Sequence, residues 1–104
     1  MKEFENVNVL IEGNSYFDGA VTSRTVIFPN NEKKTLGFML IGEYEFSTAE
    51  AELMEITSGK VEVLLPDSSE WINISSGESF NVPANSKFKI KVKAITDYCC
   101  SYIK

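Results

Sequence analysis

Glu52 is the carboxylate of this sequence best placed to do chemistry. In the stretch "YEFSTAEAELMEITSG", residues 44–59, a period of two puts Glu52, Met54 and Ile56 on one face and Leu53, Glu55 and Thr57 on the other. The first face has two apolar members, so it is expected to look inward with Glu52 at its end. Partial burial there raises a carboxyl's pKa. Arg24 is the sole arginine, and a planar guanidinium binds oxyanions bidentately; its alternative is a surface or interface salt bridge. Ser47 and Thr48 offer hydroxyls to a ligand, or else satisfy a turn. Glu43, Glu45, Glu50 and Glu55 are expected in solvent, and Asn81 and Asn85 in turns.

These residues need elements to hold them. By propensity the run Ala49 to Met54 reads as helix, but its surroundings read as strand, and tertiary context overrides propensity in short segments. Turn signals recur at Glu12-Gly13-Asn14, Pro29-Asn30-Asn31, Ser58-Gly59, Pro66-Asp67-Ser68-Ser69, Ser75-Ser76-Gly77 and Pro83-Ala84-Asn85-Ser86. Between them lie runs such as "VTSRTVIF", "TLGFMLI", "KVEVLLP", "KFKIKV" and "DYCCSYI", rich in β-branched and aromatic residues. The expectation is an all-β, single-domain sandwich or barrel of about nine to ten short strands. Residues 1–13 read as an N-terminal extension able to add an edge strand, and residues 14–104 as the domain proper.

Composition narrows the function. At 104 residues the chain is long enough for one core without a disulfide or metal staple. Its net charge of −5 argues against nucleic acid as a partner. Lys87, Lys89, Lys91 and Lys93 alternate with Phe88, Ile90 and Val92, the pattern of a strand with one wet and one buried face rather than a binding stripe. No apolar run approaches the roughly 18 residues needed to cross a bilayer, so no membrane association and a cytoplasmic location are expected. Cys99 and Cys100 are adjacent, point to opposite faces of a strand, and read as free thiols.

Two spacings resemble the paired motifs of the cupin superfamily. Glu52 and Gly59, with six residues between them, resemble the segment holding a metal-binding glutamate and a turn glycine; Gly77 and Pro83 in "GESFNVPANSKF" resemble the second motif. The positions of the metal-binding histidines fall near Phe46, Thr48 and Phe88, and the chain has no histidine. Glu52 alone is a poor cage for a transition metal. The expectation is therefore a metal-free cupin-type β-barrel, jelly-roll-like, whose pocket of Phe46, Thr48, Glu52 and Phe88 holds an organic ligand.

The segments "NSYFDGAV", "TLGFMLIGEYEFSTAEAELMEITSGKVEVLLP", "SGESFNVPANSKFKIKV" and "YCCSY" together resemble the small cupin family of pyrimidine/purine nucleoside phosphorylases over residues 14–103. The resemblance implies phosphorolysis of purine and pyrimidine nucleosides to free base and ribose 1-phosphate, a pentosyl transfer with inorganic phosphate as co-substrate and no other cofactor. It also implies a homodimer. Ala20 stands where a basic residue would be expected, and residues 1–13 have no clear counterpart in shorter relatives. Tolerance of many bases calls for stacking rather than hydrogen-bond readout, which favours Tyr44, Phe46 and Phe88 as walls. Phosphate is assigned to Arg24, with Ser47 and Thr48 as donors to phosphate or ribose. Glu52 is assigned to the ribose hydroxyls or to the oxocarbenium-like transition state. The alternative is a metal-free cupin binding module that senses a small metabolite without turning it over.

Overall fold

The computed structural model describes residues 3–103. Nine strands follow in order: β1 (Asn8–Val9), β2 (Asn14–Tyr16), β3 (Val21–Ile27), β4 (Lys33–Met39), β5 (Gly42–Ser47), β6 (Ala51–Leu64), β7 (Ile72–Ser75), β8 (Ser79–Val82) and β9 (Lys87–Ile103), with one 3-10 turn at Phe17–Gly19. The chain is all-β. Among the described residues no helix is long and apolar enough to cross a membrane.

Two of the strands are far longer than the sequence suggests. Ser58-Gly59, read as a turn, lies inside β6, and "KFKIKV" and "DYCCSYI" belong to one continuous β9. Gly59 has φ +112°, and a Cβ there would sit 2.4 Å from the Thr96 hydroxyl. The β6–β9 register shifts on either side of it, between Ile56 and Val61. The glycine therefore bends a strand instead of ending it, as bulges do.

The expected barrel is not formed. The hydrogen-bonded order is β1-β3-β4-β9-β6-β7, with β2 also on β3, β5 on β9 and β8 on β6. No ladder among the described residues joins the ends of this sheet. The reason lies in the long bent pair. The first part of β6 and the last part of β9 run beside β4 and β8, while the last part of β6 and the first part of β9 run beside β5 and β7. Two layers thus share two strands, and at the open side they meet through side chains: Tyr16 of β2 lies edge-on to Phe46 of β5, with ring centroids 6.5 Å apart.

The core fills the space between the layers. Val21, Met39, Ile56, Val61, Val63 and Ile90 are fully buried. In the first part of β9, Phe88, Ile90 and Val92 face this core while Lys87, Lys89 and Lys93 stay in solvent. Lys91 lies 4.1 Å from the Trp71 ring centroid and Lys93 pairs with Glu62 at 3.3 Å. Within residues 1–13, β1 pairs with the end of β3, and Phe4 packs edge-on against Phe28.

Candidate functional site

Strand alternation builds a cavity of about 220 Å³ between the two layers. From β9 come Tyr98, Cys100 and Tyr102, two residues apart and therefore on one face. Beside them on β6, Glu52 is paired with Tyr102 and Met54 with Cys100. Ser23 of β3 and Thr35 and Met39 of β4 complete this wall, and Phe46, Ser47 and Phe88 form the facing one. Tyr16, Ser47 and Tyr102 are exposed and rim the mouth.

The facing wall is aromatic. Phe46 and Phe88 stack with centroids 5.6 Å apart and planes 27° from parallel. Phe80 braces Phe88 edge-on at 5.8 Å, and Phe17 braces Phe46 at 5.5 Å. An apolar surface held this way presents a ring face to a planar ligand and reads none of its polar edges.

The opposite wall is polar and mostly uncharged. Burial pushes the Glu52 carboxyl above its ordinary value, partly offset by a hydrogen bond donated by the Cys100 thiol. Burial, reinforced by the Glu52 charge, pushes that thiol up to about 12. Tyr102 is likewise raised to about 12, by burial and then by its proximity to Cys100, and Tyr98 is raised by the same two causes. Among the described residues, no lysine or arginine lines the cavity. At neutral pH it therefore offers neutral O–H groups and one carboxyl.

Of the residues singled out from sequence, the cavity gathers Glu52, Phe46, Ser47 and Phe88. It does not gather Arg24, Tyr44 or Thr48. Arg24 follows the inward-facing Ser23 on β3 and so points outward, where its guanidinium donates to the carbonyl of Ile11. Tyr44 is buried in the core, its hydroxyl donating to the Leu40 carbonyl at 2.7 Å and its ring set against Phe17. Thr48 is tied into the loop before β9: it donates to the Pro83 carbonyl at 2.7 Å and accepts from the Ser86 amide at 3.1 Å. Ala20 is half-buried against the core.

The wall of Ser23, Thr35, Tyr98, Cys100 and Tyr102 was not anticipated from the sequence. Its signal is present in "DYCCSYI": the polar-tipped residues 98, 100 and 102 alternate with period two. Phe46 and Phe88 bring no ligating atom to the cavity, and the Thr48 hydroxyl is turned into a loop. Among the described residues, no group of three or more His, Cys, Asp or Glu side chains is placed to hold a metal ion.

With this geometry in hand, sequence and fold comparisons converge. Residues 11–102 match the family described as pyrimidine/purine nucleoside phosphorylase. The chain belongs to that family. A pyrimidine/purine nucleoside phosphorylase from Sulfurovum sp. (strain NBC37-1) is 74% identical over 103 residues, covering 99% of this chain and 100% of the relative. One from Geotalea uraniireducens (strain Rf4) is 59% identical over 103 residues, covering 99% of each. Because these alignments take in 99% of the chain, nearly all of the extension 1–13 is common to the pyrimidine/purine nucleoside phosphorylases matched. Among solved structures, a protein of unknown function from Acinetobacter sp. ADP1 superposes with TM-score 0.95 at 41% identity, over 97% of this chain and 98% of its own. The Clostridium difficile EutQ protein shares the fold alone, with TM-score 0.64 at 16% identity over 79% of this chain and 67% of its own.

Proposed function

We propose that this chain is a nucleoside phosphorylase, transferring the pentosyl group of purine and pyrimidine nucleosides to inorganic phosphate on a cupin-type scaffold, without a metal or other cofactor. The observation that carries the reading is the placement of one half-buried carboxyl, Glu52, across a cavity from a braced aromatic face, Phe46 and Phe88. Family membership supplies the reaction class, and the two walls supply a division of labour.

The base stacks on Phe46 and Phe88, an interaction worth roughly 1 to 3 kcal/mol that does not discriminate among bases. Ser47, at the mouth, meets the ribose. Glu52 in its ionised form accepts from ribose hydroxyls and stabilises the positive charge that grows on the sugar as the glycosidic bond lengthens. Phosphate attacks the anomeric carbon, its oxygen forming the new C–O bond as the C–N bond electrons leave with the base, and the proton that the hydrogen phosphate gives up passes to the base. Burial of the reacting centre strengthens each of these electrostatic contacts relative to water.

The location supported by this chemistry is the cytoplasm, where nucleosides are salvaged. A homodimer is supported by the outward face of β4, where Leu36 and Phe38 stand exposed; a particle of twice the monomer mass in light scattering checks it. The activity itself is tested by incubating the protein with uridine or adenosine, with and without phosphate. Base release that requires phosphate is expected. Saturable nucleoside binding without release overturns the enzyme in favour of a metabolite-sensing module. In the active protein, Glu52→Gln is expected to lower kcat/KM by about 100-fold or more, the scale of losing one transition-state contact; an unchanged rate in the folded variant removes Glu52 from the chemistry.

A further inference from the structure

A phosphate-consuming site is expected to carry a cation, and among the described residues none lines this one: the lone arginine faces outward and the charged side chain on the cavity wall is an acid. The polar wall has a specific construction that answers the need. Ser23, Gly37 and Tyr98 lie in one row across β3, β4 and β9. Gly37 has no side chain, and a Cβ there would collide with the Thr22 carbonyl at 1.9 Å. The Tyr98 phenol reaches past β4 to within 3.4 Å of the Thr22 carbonyl on β3, beside Ser23. Ser23 is oriented from behind by the Asn14 side-chain amide at 3.2 Å. One step along the sheet, Thr35 is paired with Cys100 and touches the Tyr102 hydroxyl.

The geometry points to a phosphate subsite made of neutral hydroxyls, in which Ser23, Thr35, Tyr98 and Tyr102 donate O–H bonds to the oxyanion next to Glu52. This rests on the phosphorylase reading for its ligand. The Tyr98 contact to Thr22 is long for an O–H donor, so that proton is free to turn to a stronger acceptor. Ser23 and Thr35 are buried, and hydrogen bonds to a charged acceptor strengthen where water is excluded. Raised phenol pKa values keep the donor protons in place throughout the neutral range.

The test separates the two substrates kinetically. Initial rates are measured with phosphate varied at saturating nucleoside, and with nucleoside varied at saturating phosphate, for wild type, Tyr98→Phe, Tyr102→Phe, Ser23→Ala and Arg24→Gln. Each phenol variant is expected to raise the KM for phosphate about tenfold, the scale of one hydrogen bond to a charged group, with the KM for nucleoside within about threefold. Arg24→Gln leaves both constants unchanged. A phosphate KM that stays at the wild-type value in both phenol variants and in Ser23→Ala, or that rises tenfold in Arg24→Gln, overturns the proposal. Direct binding of inorganic phosphate, followed by broadening of its ³¹P resonance, reads the same subsite without turnover. If the wild type binds phosphate but releases no base, the phosphorylase reading fails while the subsite stands, provided that Tyr98→Phe abolishes the broadening. Broadening equal in wild type and Tyr98→Phe, or absent from wild type, overturns the subsite itself.

Discussion

The two parts of β9 obey the same alternation and serve opposite ends. In residues 87–93 the inward positions are Phe88, Ile90 and Val92, all buried and apolar, and the outward ones are lysines. In residues 96–103 the inward positions are Tyr98, Cys100 and Tyr102, and they line a cavity. Period and the β6 partner are shared, while the other neighbour changes from β5 to β4 and the inward side chains change in chemistry. A strand turns from scaffold to site where it places polar groups on its buried face, because each such group must be matched by a partner or a ligand.

The sharpest way to break this comparison is to weaken the scaffold part. Ile90→Ala removes a fully buried side chain and is expected to cost about 2 to 5 kcal/mol of stability in urea unfolding, while the KM values of the protein that stays folded remain as in wild type. A shifted phosphate KM would show that the two parts are not separable. The facing wall comes next: Phe46→Ala is expected to raise the KM for purine and pyrimidine nucleosides alike by about tenfold, as the loss of one stacking surface should. A loss confined to one base class would mean that this wall reads base identity after all.

A pH series tests the site part. The raised Glu52 pKa places the acid limb of kcat/KM above 4.5, the ordinary value of its carboxyl, and Glu52→Gln removes that limb. The sign for stability is the reverse. A folded-state pKa raised by burial contributes stability below 4.5 that is lost as pH rises through the folded value. The melting temperature of Glu52→Gln should therefore gain on wild type as pH increases from 4 to 8. The smallest effect belongs to the outward lysines: Lys89→Gln is expected to move Tm by less than about 3 °C and to leave kinetics untouched.

The lysine alternation, the strand-rich turn pattern and the inward face of Glu52, Met54 and Ile56 are all local, period-two features, and they were legible in the sequence. Met54 and Ile56 are buried and Glu52 lines the cavity. What escaped was long-range. Whether Ser58-Gly59 turns or bends the chain depends on Thr96 lying against Gly59, and sequence spacing carries no trace of that contact. Arg24 drew attention because it is unique, yet its direction is set by the parity of Ser23 on the same strand. Thr48 has the composition of a ligand donor and the partners of a loop clasp. Tyr98 and Tyr102 escaped notice because Cys99 and Ser101 between them are also buried, so no polar-apolar alternation marks the face that lines the cavity.

The shared strands β6 and β9 limit how substrates come and go. Enzymes built from two separately hinged halves admit ligands by opening like jaws. Here both layers are continuous through the same two strands, so prying them apart would mean breaking the β6–β9 ladder. The rim is where the cavity opens: Tyr16, Ser47 and Tyr102 stand exposed around it, and beside Tyr16 the 3-10 turn holds Phe17, Asp18 and Gly19 at φ of 52°, 55° and 91°. Amide exchange should be slowest in the β6–β9 ladder and fast at residues 14–19. If product release limits turnover, kcat should fall with solvent viscosity while amide exchange in the β6–β9 ladder stays slow.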